Sequence, residues 1–207
     1  MVENLDKEAQ KIYTFDAICF STHPTSFDTK GILSQYLMSA ICSDIDKGDE
    51  NKVSFGHKLS IGEDKEIDCK NSYFEISLSK KGVKIKNNTD CFIIFLDLEY
   101  IDSLSELNKI LKNLQKLSIN DQRLYIVTFY TDEKQLNKKL KEDNIVNQLD
   151  NLGFINYNIF KMNMNNPDEI IKTIDTITLE TLQDKKLINF QNLEGNVHKS
   201  ESFCAIN

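Results

Sequence analysis

Apolar positions along this chain switch between two rhythms, a period of two and a period of three to four, and the switches divide it into elements. Ile12 to Phe20 is apolar enough for a buried strand, and the loop STHPTSFD follows it. Ile32, Leu33, Tyr36, Leu37 and Ile41 then mark one face of a helix from about Lys30 to Ser43, with Asp28 or Thr29 placed to cap it. The acidic SDIDKGDENK predicts a mobile loop. Val53, Phe55, His57, Leu59 and Ile61 alternate as in a half-exposed strand, and Tyr73 to Leu78 gives a second one after the polar GEDKEIDCKN, so the two pair as a hairpin.

The basic connection KKGVKIKNNTD leads to CFIIFLDL, residues 91 to 98, the most apolar run and a natural central strand. Leu104, Leu107, Ile110, Leu111, Leu114 and Leu117 define a helix capped by Asp102 or Ser103, and Leu124 to Phe129 a strand. A long helical pattern runs from about Glu133 to Leu152, with Gly153 at its C-cap. Asn156 to Met162 is the last strand, and Pro167 opens a helix that uses Ile170, Ile171, Ile174, Ile177 and Leu182. The order β-α-β-β-β-α-β-α-β-α predicts an α/β three-layer sandwich with a six-stranded, mostly parallel sheet and one antiparallel hairpin strand. Residues 1–11 read as a flexible N-terminus, 12–183 as the folded domain and 184–207 as a flexible tail.

Composition narrows the function classes. Twenty-five basic against thirty-two acidic residues give a net charge of -7, which argues against a general affinity for nucleic acid or anionic lipid. The five cysteines, Cys19, Cys42, Cys69, Cys91 and Cys204, share no C-x-x-C spacing, a pattern that suits a reducing cytosol. None of His23, His57 and His198 stands near a second ligand, so no metal site is expected. The opening MVENLDKEAQKIY holds no apolar signal core, and no run reaches the roughly 18 apolar residues of a membrane span. A soluble cytoplasmic protein is expected. Cys19 and Cys91, inside apolar strands and without a histidine in a motif-like relation, read as packing residues.

The element order, with one hairpin after the first helix and a loose tail, resembles the Ras-like small GTPases, the Rab group in particular. VSFGHKLSIG and SYFEISL look like the second and third strands, DCFIIFLDLEYIDSLSELNKIL like the fourth strand and its helix, and LYIVTFYTDE like the strand ending in the guanine-reading N-K-x-D. The resemblance implies a small-GTPase-like topology of P-loop NTPase type over residues 12–183. It does not extend to the motifs. The phosphate loop G-x-x-x-x-G-K-[ST] needs glycines so that backbone amides can close on phosphate. This chain has none before Gly31, and His23 and Asp28 stand at the glycine positions. In that register Thr29 replaces the lysine; a one-residue slide puts Lys30 there but leaves Gly31 where the hydroxyl should be. D-x-x-G is lost, with Leu78 and Lys81 at its two fixed positions and Gly82 one position late, and no glutamine follows Lys81 to orient a water. N-K-x-D is reduced to Asp132, a residue that is equally a helix cap. KMNMN, where the family has S-A-K, does not match.

The resemblance therefore implies a pseudo-GTPase, a protein-interaction module in membrane trafficking or signalling, without catalytic residues or a cofactor, whose switch-like partner surfaces are 44–60 and 80–90. Lys80, Lys81, Lys84 and Lys86 in the second of these read as a solvated loop or a contact for an acidic partner. Two rivals stand beside it. One is an active small GTPase binding GTP or GDP with magnesium through Lys30 and Asp132; the other is a different doubly wound α/β domain, such as a receiver-like or flavodoxin-like protein, for which a wholly parallel sheet would decide. The terminal Cys204-Ala205-Ile206-Asn207 has the C-a-a-X form of a prenylation signal, so Cys204 is a candidate lipidation site and a route to the cytosolic face of membranes. The lysine-, asparagine- and isoleucine-rich composition suggests an A+T-rich genome. In a bacterial source, prenylation would require a host's enzymes and make the protein an effector imitating a host GTPase.

Overall fold

The computed structural model describes residues 11–22, 29–40, 42–49, 52–61, 65–76, 89–119, 122–137 and 140–187. Its elements are β1 (Ile12–Ser21), α1 (Thr29–Ser39), β2 (Cys42–Asp49), β3 (Lys52–Ser60), β4 (Glu66–Glu75), β5 (Cys91–Asp97), α2 (Ser103–Lys116), β6 (Leu124–Tyr130), α3 (Glu142–Asn151), β7 (Tyr157–Asn163) and α4 (Pro167–Asp184). The strands form one sheet in the order β2-β3-β4-β1-β5-β6-β7. The six expected strands are all present, with β3 antiparallel to β4 and the pairs from β4 through β1, β5 and β6 to β7 parallel.

Side-chain alternation sends each strand's residues to two faces. Phe15, Ala17 and Cys19 of β1 with Ile93, Phe95, Tyr125 and Val127 meet α1 and α4 through Ile32, Leu33, Tyr36, Ile170, Ile174 and Ile177. Ile18 and Phe20 with Phe92, Ile94, Leu96 and Ile126 meet α2 and α3 through Leu107, Leu111, Leu114, Ile145 and Leu149. Covered on both faces, β5 and β6 are buried at every position, which explains why β5 reads as an unbroken apolar run rather than an alternating one. At about 1.5–3 kcal/mol for each large side chain removed from water, these two layers supply the driving force. Pro167 stands at the first helical position of α4 and Gly153 takes φ 77 just beyond α3, both as the sequence indicates, and Asn166 caps α4 by accepting from the Asp168 backbone N–H.

Four segments depart from expectation. SDIDKGDENK was expected as a loop, but Cys42–Asp49 is a strand, β2, antiparallel to β3 with register shifts on either side of Asp46. A bare strand edge offers unpaired N–H and C=O groups to whatever follows, and ladder formation there overrides the poor strand propensity of Asp, Lys and Gly. Because the chain enters β2 at Cys42, α1 ends at Ser39, four residues short of the expected Ser43. The second hairpin strand begins at Glu66 rather than Tyr73 and ends at Glu75. Its inward positions Ile67, Cys69, Asn71 and Tyr73 alternate, but a buried asparagine in the series disguises the run.

The expected helix from Glu133 to Leu152 is a 3-10 turn over Glu133–Gln135 followed by α3. The Asn137 N–H donates to the Leu98 carbonyl at 2.8 Å and its side-chain amide to the Ile101 carbonyl at 3.4 Å. Those bonds tie the chain to the end of β5, where a continuous helix would need the same N–H internally. Asp102 holds the N-cap position of α2 without a side-chain capping bond.

Candidate functional site

In an open α/β sheet ligands bind beyond the carboxyl ends of the strands, where neighbouring connections leave in opposite directions. Here that point lies between β1, whose helix covers one face, and β5, whose helix covers the other. Thr22, immediately after β1, closes it. Its N–H donates to the Phe95 carbonyl at 3.0 Å, its hydroxyl accepts from the Asp97 N–H at 3.1 Å, and the same oxygen lies 3.2 Å from the Ser103 hydroxyl that opens α2. Thr22, Asp97 and Ser103 are all buried. The Asp97 carboxylate in turn accepts from the Glu99 N–H at 2.8 Å and turns the chain away from the sheet.

One strand further on, Glu99 reaches across to the connection after β6. Its carboxylate accepts from the Thr131 N–H at 2.8 Å, the Asp132 N–H at 2.5 Å and the Thr131 hydroxyl at 2.9 Å. These are charge-assisted bonds to two adjacent amides, the arrangement by which a turn binds an anion, with the anion supplied by the chain itself. Asn165, after β7, continues the ring by donating from its side-chain amide to the Thr131 carbonyl at 2.9 Å.

Asp132 takes the capping role: its carboxylate accepts from the Lys134 N–H at 2.9 Å and closes the 3-10 turn. Lys30 lies half-buried in the first turn of α1. Both therefore stand at the carboxyl edge of the sheet, on elements that follow β1 and β6, with β5 between those strands. His23, Asp28, Leu78, Lys81, Gly82, the lysine cluster at 80–86 and Cys204 lie outside the described residues. Of the two switch-like regions, 44–60 spans most of β2 and all of β3 at the open edge of the sheet. In 80–90 the described part is Thr89 and Asp90, and Asp90 accepts from the Asp16 N–H at 2.8 Å and pairs with Lys185 at 2.7 Å.

The four described cysteines behave as packing residues. Cys19 and Cys91 are fully buried and both thiols are held well above the ordinary range, chiefly by burial. Burial likewise pushes Cys42 up to about 11 and Cys69 up to about 12, so none is a ready thiolate. Among the described residues no group of three or more His, Cys, Asp or Glu side chains is placed to hold a metal ion, and no helix is long and apolar enough to cross a membrane.

Strand order, the antiparallel β3–β4 pair and helices on both faces define a doubly wound α/β domain of small-GTPase-like topology, extended at its edge by the antiparallel strand β2. The β3–β4 pairing makes the sheet mixed, so the wholly parallel sheet that would decide for a receiver-like or flavodoxin-like domain is not what this chain forms. No protein-family model and no curated protein matches the chain. The fold is thus fixed at the level of class, and function rests on the site itself.

Proposed function

We propose that this chain is a Ras/Rab-like pseudo-GTPase, an interaction module in membrane trafficking or signalling that keeps the scaffold of the family without GTP hydrolysis. The observation that carries the reading is Glu99: its carboxylate fills the two amides at the head of the loop that would read guanine, while Asp132, the single surviving specificity residue, is spent as a cap. A guanine base would have to displace a charge-assisted contact worth about 1.5–3 kcal/mol per bond before gaining any of its own. Partner contacts are assigned to 44–60 and 80–90, of which the β2–β3 edge is the better defined, and membrane attachment to prenylated Cys204.

Freshly purified protein, denatured and analysed by ion-pair chromatography, is expected to release GDP and GTP at far below one mole per mole of chain. Near-stoichiometric nucleotide, lost together with magnesium dependence in Asp132→Ala, would establish the active-GTPase alternative instead. For the lipid assignment, eukaryotic lysate with a labelled prenyl donor is expected to label the full chain and not Cys204→Ser. Equal labelling of the two would remove Cys204 from the proposal.

A further inference from the structure

His57 sits where four elements meet under the open edge of the sheet. Its neighbours in register are Cys42 of β2 and Cys69 of β4. From above, the Tyr36 ring of α1 meets it edge-on at 6.1 Å and Asp175 of α4 approaches to 3.8 Å, while Phe55 packs alongside at 5.6 Å. The imidazole is 2% exposed, and neither of its nitrogens has a hydrogen-bond partner. The Asp175 oxygen that faces it already accepts the Tyr36 hydroxyl at 2.8 Å. A buried polar ring with both nitrogens unsatisfied is costly. A phenylalanine would pack in the same place without that cost, so the ring's chemistry is the feature to explain.

We propose that His57 is a proton-operated latch: as a neutral ring it lets the β2–β3 edge hairpin seat against α1 and α4, and its protonation releases that hairpin. This goes beyond the pseudo-GTPase reading and does not depend on it.

Titratable groups face the ring from every element packed on it, and their directions decide which of them can act. Tyr36 is held far above its ordinary range by burial and by Asp175, so it remains a donor at all ordinary pH. Cys42 and Cys69, pushed up to about 11 and about 12, remain thiols. His57 is pushed down to about 4 by burial, whereas a solvated imidazole has its ordinary value near 6.5. The open form therefore binds the proton more readily than the closed one, and acid favours opening. Between pH 7.5 and pH 5 those two values shift the open-to-closed ratio by roughly 30-fold. Asp175 works in the opposite sense. Its carboxyl is raised by burial in the closed form, so the closed form also gains from acid, and Asp175 damps the response. Asp175→Asn, which keeps an acceptor for Tyr36, removes that damping.

The test is amide hydrogen exchange on the full chain at pH 7.5 and pH 5.0, corrected for intrinsic rates. Peptides from Cys42–Asp49 and Lys52–Ser60 are expected to lose roughly 30-fold in protection at pH 5.0, with a larger loss in Asp175→Asn and none in His57→Phe. Peptides from β5 and β6 should hold theirs. Equal protection at both pH values, an equal loss in His57→Phe, or a loss spread over the whole sheet would overturn the latch. If His57→Phe does not fold, a ring NMR titration of the unaltered protein decides. A midpoint near 4 supports the proposal and one at 6.5 or above refutes it.

Discussion

Replacing Phe55 with alanine will lower the unfolding free energy by about 3–5 kcal/mol, the range for removing a large aromatic side chain from a core that cannot collapse around the gap. Phe55 is fully buried and stands at the middle of a run of rings: stacked on Tyr73 at 5.6 Å and 18°, tilted against Tyr36 at 5.3 Å, and beside His57. Tyr73 passes the contact to Phe15 of β1 at 5.6 Å. The run joins the hairpin to the central sheet and to α1, so its loss opens a cavity bordered by three elements. For a chain of this length the change corresponds to roughly 6–20 °C in Tm. Phe55→Leu, which fills most of the space, should cost less than half as much. Urea denaturation and calorimetry measure both. A loss below about 1 kcal/mol for the alanine variant would mean that the hairpin is not anchored through this ring.

The same region separates what could be read in the sequence from what could not. CFIIFLDL announces a central strand because six apolar residues run unbroken from Cys91 to Leu96, and burial on both faces favours that residue type at each of them. Leu107, Ile110, Leu111 and Leu114 announce α2 for the equivalent reason at helical spacing. β2 carried no such signal, since an edge strand is held by backbone pairing and its residues are free to be acidic. The first half of β4 is hidden in the sequence because Asn71 occupies an inward position. Its side-chain amide donates to the Tyr73 hydroxyl at 3.1 Å and to Thr178 of α4 at 3.0 Å, partners that appear only once helix and sheet are assembled. In the stretch after β6, a helical period continued through residues 138 and 139 hides the bond from Asn137 back to Leu98 that interrupts it.

At the carboxyl edge, the sequence yields the positions and misses the contacts. Asp132 and Lys30 are recoverable because a strand-to-helix turn has a known place in the element order. Thr22, Ser103 and Glu99 are not, since each draws its meaning from residues far along the chain: Thr22 is 81 positions from Ser103, and Glu99 is 32 from Thr131. A hydroxyl or carboxylate in a connecting loop is ordinary until the sheet brings its partner beside it. The one usable signal is the placing of Glu99 just beyond the apolar run of residues 91–96, where an acidic side chain must lie at the sheet's carboxyl edge. His57 was legible only as an inward position of an alternating strand, and its lack of partners is a property of the packed fold.

Glu99→Ala is expected to cost roughly 2–3 kcal/mol, the second large effect. Three bonds to a charged acceptor are lost, each worth about 1.5–3 kcal/mol where both partners are desolvated, and water returns part of that because Thr131 and Asp132 are only half-buried. The loss will be local first. With the two amides freed, the turn capped by Asp132 has one fewer attachment to β5, and exchange over residues 131–137 should rise before any change appears in β5 or β6. Glu99→Gln keeps an acceptor oxygen of the same reach without the charge and should retain about half of the stability, since bonds to a charged acceptor are roughly twice as strong as neutral ones. The amides left open in Glu99→Ala form an anion site of carboxylate shape, so acetate added at high concentration should restore stability in that variant and leave the unaltered protein unchanged. Equal stability of the alanine and glutamine variants, with no response to acetate, would show that the carboxylate rests against the turn without holding it. The case for a site closed by its own side chain would then fall with it.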